Sequence, residues 1–153
     1  MNNILDKIRQ IKSLITSYNY EPSSAINENS LNPFIKEYEI FFKENIDSEF
    51  IDFLMISNGL EFNGYRIFSS ANYSIKNVPY GIFENNELFY EQDEEDKKYI
   101  LFAVSGSDLF VFNKEEKKYQ LLDRYSGDVY KEYDSFNDML LYILKLMLYE
   151  EVD

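Results

Sequence analysis

Residues 99–133, YILFAVSGSDLFVFNKEEKKYQLLDRYSGDVYKEY, hold four runs rich in β-branched and aromatic residues. Three turn signals separate them: Ser105–Asp108, Asn113–Lys118 and Tyr125–Asp128. Parallel neighbours need a crossover of a dozen or more residues, so links this short predict an antiparallel meander. In the third run, alternation puts Tyr119, Leu121 and Asp123 on one face and Gln120, Leu122 and Arg124 on the other. Both flanks of the meander read as helical. The expected fold is therefore α+β, with the meander and a further strand near residues 65–68 packed with N-terminal helices and a C-terminal helix. One domain spanning residues 1–153 is expected, since no repeat or linker divides the chain.

Working outward, Ile4, Ile8, Ile11, Ile15 and Tyr18 recur at helical spacing, widened by Leu5 and Leu14. Residues 19–31 read as a loop. Asn32 and Pro33 predict a helix start, followed by the apolar face Phe34, Ile35, Tyr38, Phe41 and Phe42. Asp47 is a second N-cap candidate, opening a helix over SEFIDFLMIS that Ile46 staples and Asn58-Gly59 ends. Residues 69–82 look loop-like, 83–92 (FENNELFYEQ) helical, and DEEDKK (93–98) a solvated connection. After the meander, Ser135 and Asp138 resemble a capping box. Leu140, Ile143, Leu144, Met147 and Leu148 then form the buried face of the last helix, with Glu150, Glu151 and Asp153 in a fraying tail.

Composition narrows the chemistry. The chain has no Cys and no His, which excludes disulfides, Ser-His-Asp or Cys-His nucleophiles and His-ligated zinc. A net charge of −13 opposes nucleic acid and anionic membranes and favours basic protein partners, while also serving solubility. No run reaches the roughly 20 apolar residues that span a bilayer, and the N-terminus has no signal-peptide pattern. A cytoplasmic protein is expected.

No local pattern supplies a reaction. Glu94, Glu95 and Asp96 sit in a charged loop, where carboxylates keep ordinary acidity unless buried or coupled. The run lacks the ligand spacing and central Gly of a calcium loop. Ser105-Gly106-Ser107-Asp108 precedes a strand-like run rather than a helix, so it reads as a hairpin turn and not a phosphate cradle. Tyr and Phe on a sheet can stack on single-stranded RNA, but that needs a basic groove. Neither a cofactor nor a metal is expected.

Three segments, in order, resemble the SMI1/KNR4 (SUKH) superfamily, with some likeness to its YrhA-like branch. Phe50 to Gly59 follows the family's aromatic helix ending in Asn-Gly, through Phe53, Leu54, Asn58 and Gly59, although Asn45-Ile46 replaces the usual Leu-Pro before it. Ser105 to Asn113 follows the Gly-x-Gly-Asp hairpin, through Gly106 and Asp108, with Ser105 in place of the first Gly. Val129–Tyr133 and Ser135–Leu140 match the closing strand and helix. The resemblance implies a small α+β domain that is not an enzyme. Its bacterial members include immunity proteins that neutralise toxins, often basic nucleases. It makes Phe53, Leu54, Asn58, Gly59, Gly106 and Asp108 fold-determining, with Gly59 closing a helix and Gly106 making a turn. For a toxin-binding face, aromatic anchors beside acidic groups are expected, which points to Glu91, Asp93, Glu94, Glu95, Asp96, Tyr125, Asp128 and Tyr130. Two other readings are a regulatory or scaffold domain of the same fold and, in another class, a carboxylate-dependent hydrolase.

Overall fold

A computed structural model describes residues 2–71 and 74–152. The chain runs α1 (Asn2–Ser17), α2 (Glu28–Phe42), α3 (Ser48–Leu54), β1 (Leu60–Phe62), β2 (Tyr65–Ile67), β3 (Ser74–Ile75), β4 (Val78–Pro79) and α4 (Ile82–Gln92). A 3₁₀ turn (Glu94–Lys98) then leads to β5 (Tyr99–Val104), β6 (Asp108–Asn113), β7 (Lys118–Asp123), β8 (Val129–Tyr133) and α5 (Phe136–Met147). β1, β2 and β5–β8 form one antiparallel six-stranded sheet in the order β1-β2-β5-β6-β7-β8, and β3-β4 is a separate hairpin. The meander and the strand near 65–68 are as the periodicity predicts. Of the segments read as loop and tail, Asn72, Tyr73 and Asp153 lie outside the described residues.

One face of the sheet packs on α3 and α5. Phe102 of β5 lies with ring centroids 4.9 Å from Phe50 and 5.4 Å from Phe136, and Tyr119 of β7 joins them at 6.0 Å from Phe102. Tyr119 also donates its hydroxyl to Asp47 Oδ2 at 2.6 Å, while Asp47 Oδ1 caps α3 by accepting from the Glu49 N–H at 2.8 Å. One carboxylate thus satisfies an orphan donor of the helix and ties that helix to the sheet. Glu49 Oε1 accepts in turn from the Asn137 N–H, at the start of α5. Phe53 and Leu54 are fully buried here, consistent with a structural role.

Several boundaries differ from the sequence reading. α2 starts at Glu28 rather than after Asn32, with Asn27 as its N-cap and Pro33 inside the helix. Asn27 Oδ1 accepts from the Asn29 N–H, so the start is anchored before the proline, whose fixed φ already suits a helix. α2 ends at Phe42 because Lys43 turns left-handed, φ 54°. Tyr18, expected on the buried stripe of α1, lies past the helix end and is exposed.

α3 stops at Leu54, and Asn58-Gly59 does not close it. Gly59 has φ +85° in the entry to β1, where a Cβ would stand 3.0 Å from the Ser69 Cβ. Its glycine serves a left-handed turn and a close approach of two segments. Asn58 binds Ser70 twice, accepting from its N–H at 2.8 Å and donating to its hydroxyl at 3.0 Å.

Gly106, by contrast, has no positive φ and open space around it. The 105–108 turn is held instead by Ser105 Oγ, which accepts from the Asp108 N–H at 3.0 Å. Gly127 does have positive φ, at 77°. The DEEDKK connection is a 3₁₀ turn capped by Asp93, which accepts from the Glu95 N–H. Glu150 of the expected fraying tail pairs with Lys7 of α1 at 2.6 Å.

Candidate functional site

The sheet's second face opens into a groove of about 830 Å³. Its floor is β-sheet: Val104, Leu109 and Leu122, register neighbours on β5, β6 and β7. One wall is α4 and the 3₁₀ turn, with Leu88, Phe89, Asp93, Glu95 and Asp96. The opposite wall is the β7–β8 turn, with Tyr125, Ser126 and Gly127. Arg66 and the β4 segment Val78–Pro79 close one end.

A helix forms that wall because of two polar side chains on one of its faces. β2 pairs with β5 only through Arg66↔Val104 and Ile67↔Ala103, which leaves the first half of β5 without a strand on the edge away from β6. α4 takes the strand's place. The buried Asn86 accepts from the Leu101 N–H at 2.8 Å and donates to the Leu101 carbonyl at 2.9 Å. One turn further along, Tyr90 donates its hydroxyl to the Tyr99 carbonyl at 2.5 Å. Spacing of i and i+4 puts both side chains on one face, so they finish a ladder that main chain does not. A bulge between Leu101 and Ala103 lies beside this contact. Burial, and then the nearby Asp96, pushes the Tyr90 hydroxyl far above its ordinary pKa, so it stays a donor.

The groove is lined by the cations of Arg66, Lys98 and Arg124 and the carboxylates of Asp93, Glu95 and Asp96. The Arg124 guanidinium donates to the Ser105 carbonyl at 2.6 Å. Arg66 donates to Glu61 at 2.9 Å and to the Pro79 carbonyl at 3.2 Å, and its guanidinium lies 5.1 Å from the Tyr80 ring centre. Arg66 and Arg124 are therefore occupied within the fold, and Lys98, the third cation of the lining, lies 5.3 Å from the Tyr99 ring centre. On the opposite wall, Asp96 has its pKa raised, first by partial burial and then by Asp93, with Lys98 lowering it and Glu95 adding to the rise. At Asp96, the repulsion from Asp93 and Glu95 together exceeds the attraction of Lys98. Tyr125 is 85% exposed across the groove, its hydroxyl 3.3 Å from the Gly106 carbonyl it donates to.

Of the residues the sequence singled out for a partner, Asp93, Glu95, Asp96 and Tyr125 meet across this groove. Glu91, Glu94, Asp128 and Tyr130 are not among its lining. Tyr130 turns away: its hydroxyl bonds to Asp108, whose carboxylate also acts on Tyr65 and on Tyr142 of α5. A bulge between Leu121 and Leu122, opposite Val129–Lys131, breaks the alternation that would have placed it beside Tyr125. Asp108 thus organises a cluster of tyrosines at one end of the helix-covered face.

Sequence reasoning missed Arg66, Leu88, Phe89 and Arg124. One signal was available, since Asn86 interrupts an otherwise apolar face in α4, and a buried amide demands partners. Among the described residues, no group of three acidic side chains is arranged to hold a metal ion, and no helix is long and apolar enough to cross a membrane.

Compared with known proteins, the chain matches no family model and no curated sequence. The likeness to the SMI1/KNR4 group therefore rests on the motif segments themselves.

Proposed function

We propose that this protein is a non-catalytic binding module, acting as an immunity protein of the SMI1/KNR4 type that captures a basic toxin domain. The observation that carries this reading is the groove between α4 and the β7–β8 turn. It sets the carboxylates of Asp93, Glu95 and Asp96 across from an exposed tyrosine over an apolar floor. Interfaces concentrate binding energy in aromatic anchors with a polar surround. Opposite charge accelerates encounter, and a carrier of charge −13 steers a basic partner at a distance. A nuclease toxin, whose own groove is built to attract phosphates, has the complementary field.

The test is co-expression with a basic toxin domain encoded beside this gene. The wild-type chain protects the cells, and the association rate in vitro falls as salt rises. The double variant Glu95→Lys/Asp96→Lys, combined with Tyr125→Ala, loses protection while keeping its circular dichroism. Full protection by that variant would remove the groove from the interface, and no complex with the wild type would remove the toxin reading for that pair.

A further inference from the structure

A second groove, of about 560 Å³, runs along the outer side of β1, the edge strand of the large sheet. Between it and the first groove stand Arg66 and Glu61, the salt bridge described above. Its outer wall is the segment following α1, which carries Tyr18 and Tyr20, and Ile75 of β3 adds to the lining.

Three features of this groove point to one kind of occupant. The first is main-chain chemistry. Phe62 and Tyr65 flank the two-residue turn Asn63-Gly64, so they are a hydrogen-bonded pair, and so is Leu60 with Ile67 two steps on. Glu61, between them, directs its N–H and C=O away from β2 and toward the groove. Among the described residues, no protein group bonds to them. Second, Tyr18, Tyr20 and Ile75 are 64%, 73% and 53% exposed, yet they line one cleft rather than being scattered. Single exposed apolar residues are ordinary on a protein surface, but a cluster beside an open strand edge is a docking feature. Third, the lining includes no Lys or Arg and two carboxylates, Glu21 and Glu61. Glu61 is already engaged by Arg66 and by the Tyr80 hydroxyl, so Glu21 is the one that faces an incoming cation.

We propose that this groove binds an extended, Arg- or Lys-bearing segment of a partner protein, which adds along β1. The Glu61 main chain supplies one pair of ladder hydrogen bonds. Alternate side chains of the segment then fall between Tyr18, Tyr20 and Ile75, and its cations face Glu21 and the acidic surface. Recognition of this kind takes affinity from main-chain bonds and selectivity from the pockets for every second side chain. The proposal is independent of the toxin reading, because any protein with such a segment satisfies it.

The probe is a capped peptide, Thr-Val-Arg-Val-Thr-Val-Arg-Thr, titrated into the nitrogen-labelled full chain, with its Glu-for-Arg counterpart as control. Expected are chemical-shift changes at the amides of Glu61 and Ile75, slower exchange of the Glu61 amide, and binding of the Arg peptide alone. Tyr20→Ala and Glu21→Lys, both at exposed positions, each weaken it by about fivefold or more. Three outcomes overturn the proposal: no shift at millimolar peptide, equal binding of the Glu peptide, or shifts confined to Asp93–Asp96 and Tyr125. The toxin reading is unaffected by any of these, since its own test uses the toxin and variants of the first groove.

Discussion

The two faces of the large sheet are made from the same strands and do different work. On the face covered by α3 and α5, rings interlock: Phe50, Phe102 and Phe136 meet edge-on or tilted at 4.9 to 5.4 Å between centroids. The other face also buries side chains, including Val111 and Leu122, but sets amides among them. Asn113 donates to Gln120 at 3.2 Å and to Glu116 at 2.8 Å, and Gln120 donates to Glu132 at 2.7 Å. Buried amides satisfied this way permit a face to be half wet, whereas the aromatic face admits no water without loss. Stability is concentrated on one face, which leaves the other free to carry a groove.

The largest expected effect breaks the aromatic face. Phe102→Ala removes a ring that touches α3, β7 and α5 together, and should cost about 3–5 kcal/mol, read as a lower urea midpoint. A loss below about 1 kcal/mol would mean that the rings do not carry the fold.

Next comes the seam between the faces. Asn86→Ala leaves the Leu101 N–H and C=O without partners in a buried site, at a cost of about 1–3 kcal/mol. Its particular signature is faster hydrogen exchange at the Leu101 amide than at Val111, in the centre of the sheet. Equal acceleration at both would show that α4 does not stand in for a strand.

A smaller effect is expected from pH on the groove face. The folded state raises the Asp96 pKa above its ordinary 3.8, so the folded protein holds that proton more tightly than the unfolded chain. Folding is therefore favoured by this group at low pH, and the contribution is lost as pH rises through the window just above 3.8. Asp96→Asn should gain on the wild type across that window, by little, because water screens the site. Parallel stability curves for the two proteins would contradict the raised pKa.

The smallest effects are expected where the groove is exposed. Leu88→Ala and Tyr125→Ala should each change stability by less than about 0.5 kcal/mol in the same urea titration, although both side chains line the groove. Losses as large as that of Phe102→Ala would erase the division between the faces.

The strands were legible because their evidence is local. Tyr99–Val104, Asp108–Asn113, Lys118–Asp123 and Val129–Tyr133 lie between turn residues that select hairpins. Caps at Asp47 and Ser135 were legible too, since each side chain accepts from an N–H a few residues away. The candidate site was legible only in part. Asp93, Glu95, Asp96 and Tyr125 follow from charge and exposure, but the bulge that takes Tyr130 out of the group depends on how two strands shift in register.

Sequence alone therefore determined the α+β class, the meander and its turns, and the absence of His and Cys chemistry. Tertiary structure decided which glycine is required, since Gly59 meets Ser69 from a distant segment while Gly106 meets nothing. It also decided that Asn86 and Tyr90 complete β5, and that an acidic turn faces Tyr125 across a groove. The physical reason is range. Periodicity, capping and turn chemistry act within a few residues, whereas close approaches, ladder completion and groove walls depend on chain segments that only the folded packing brings together.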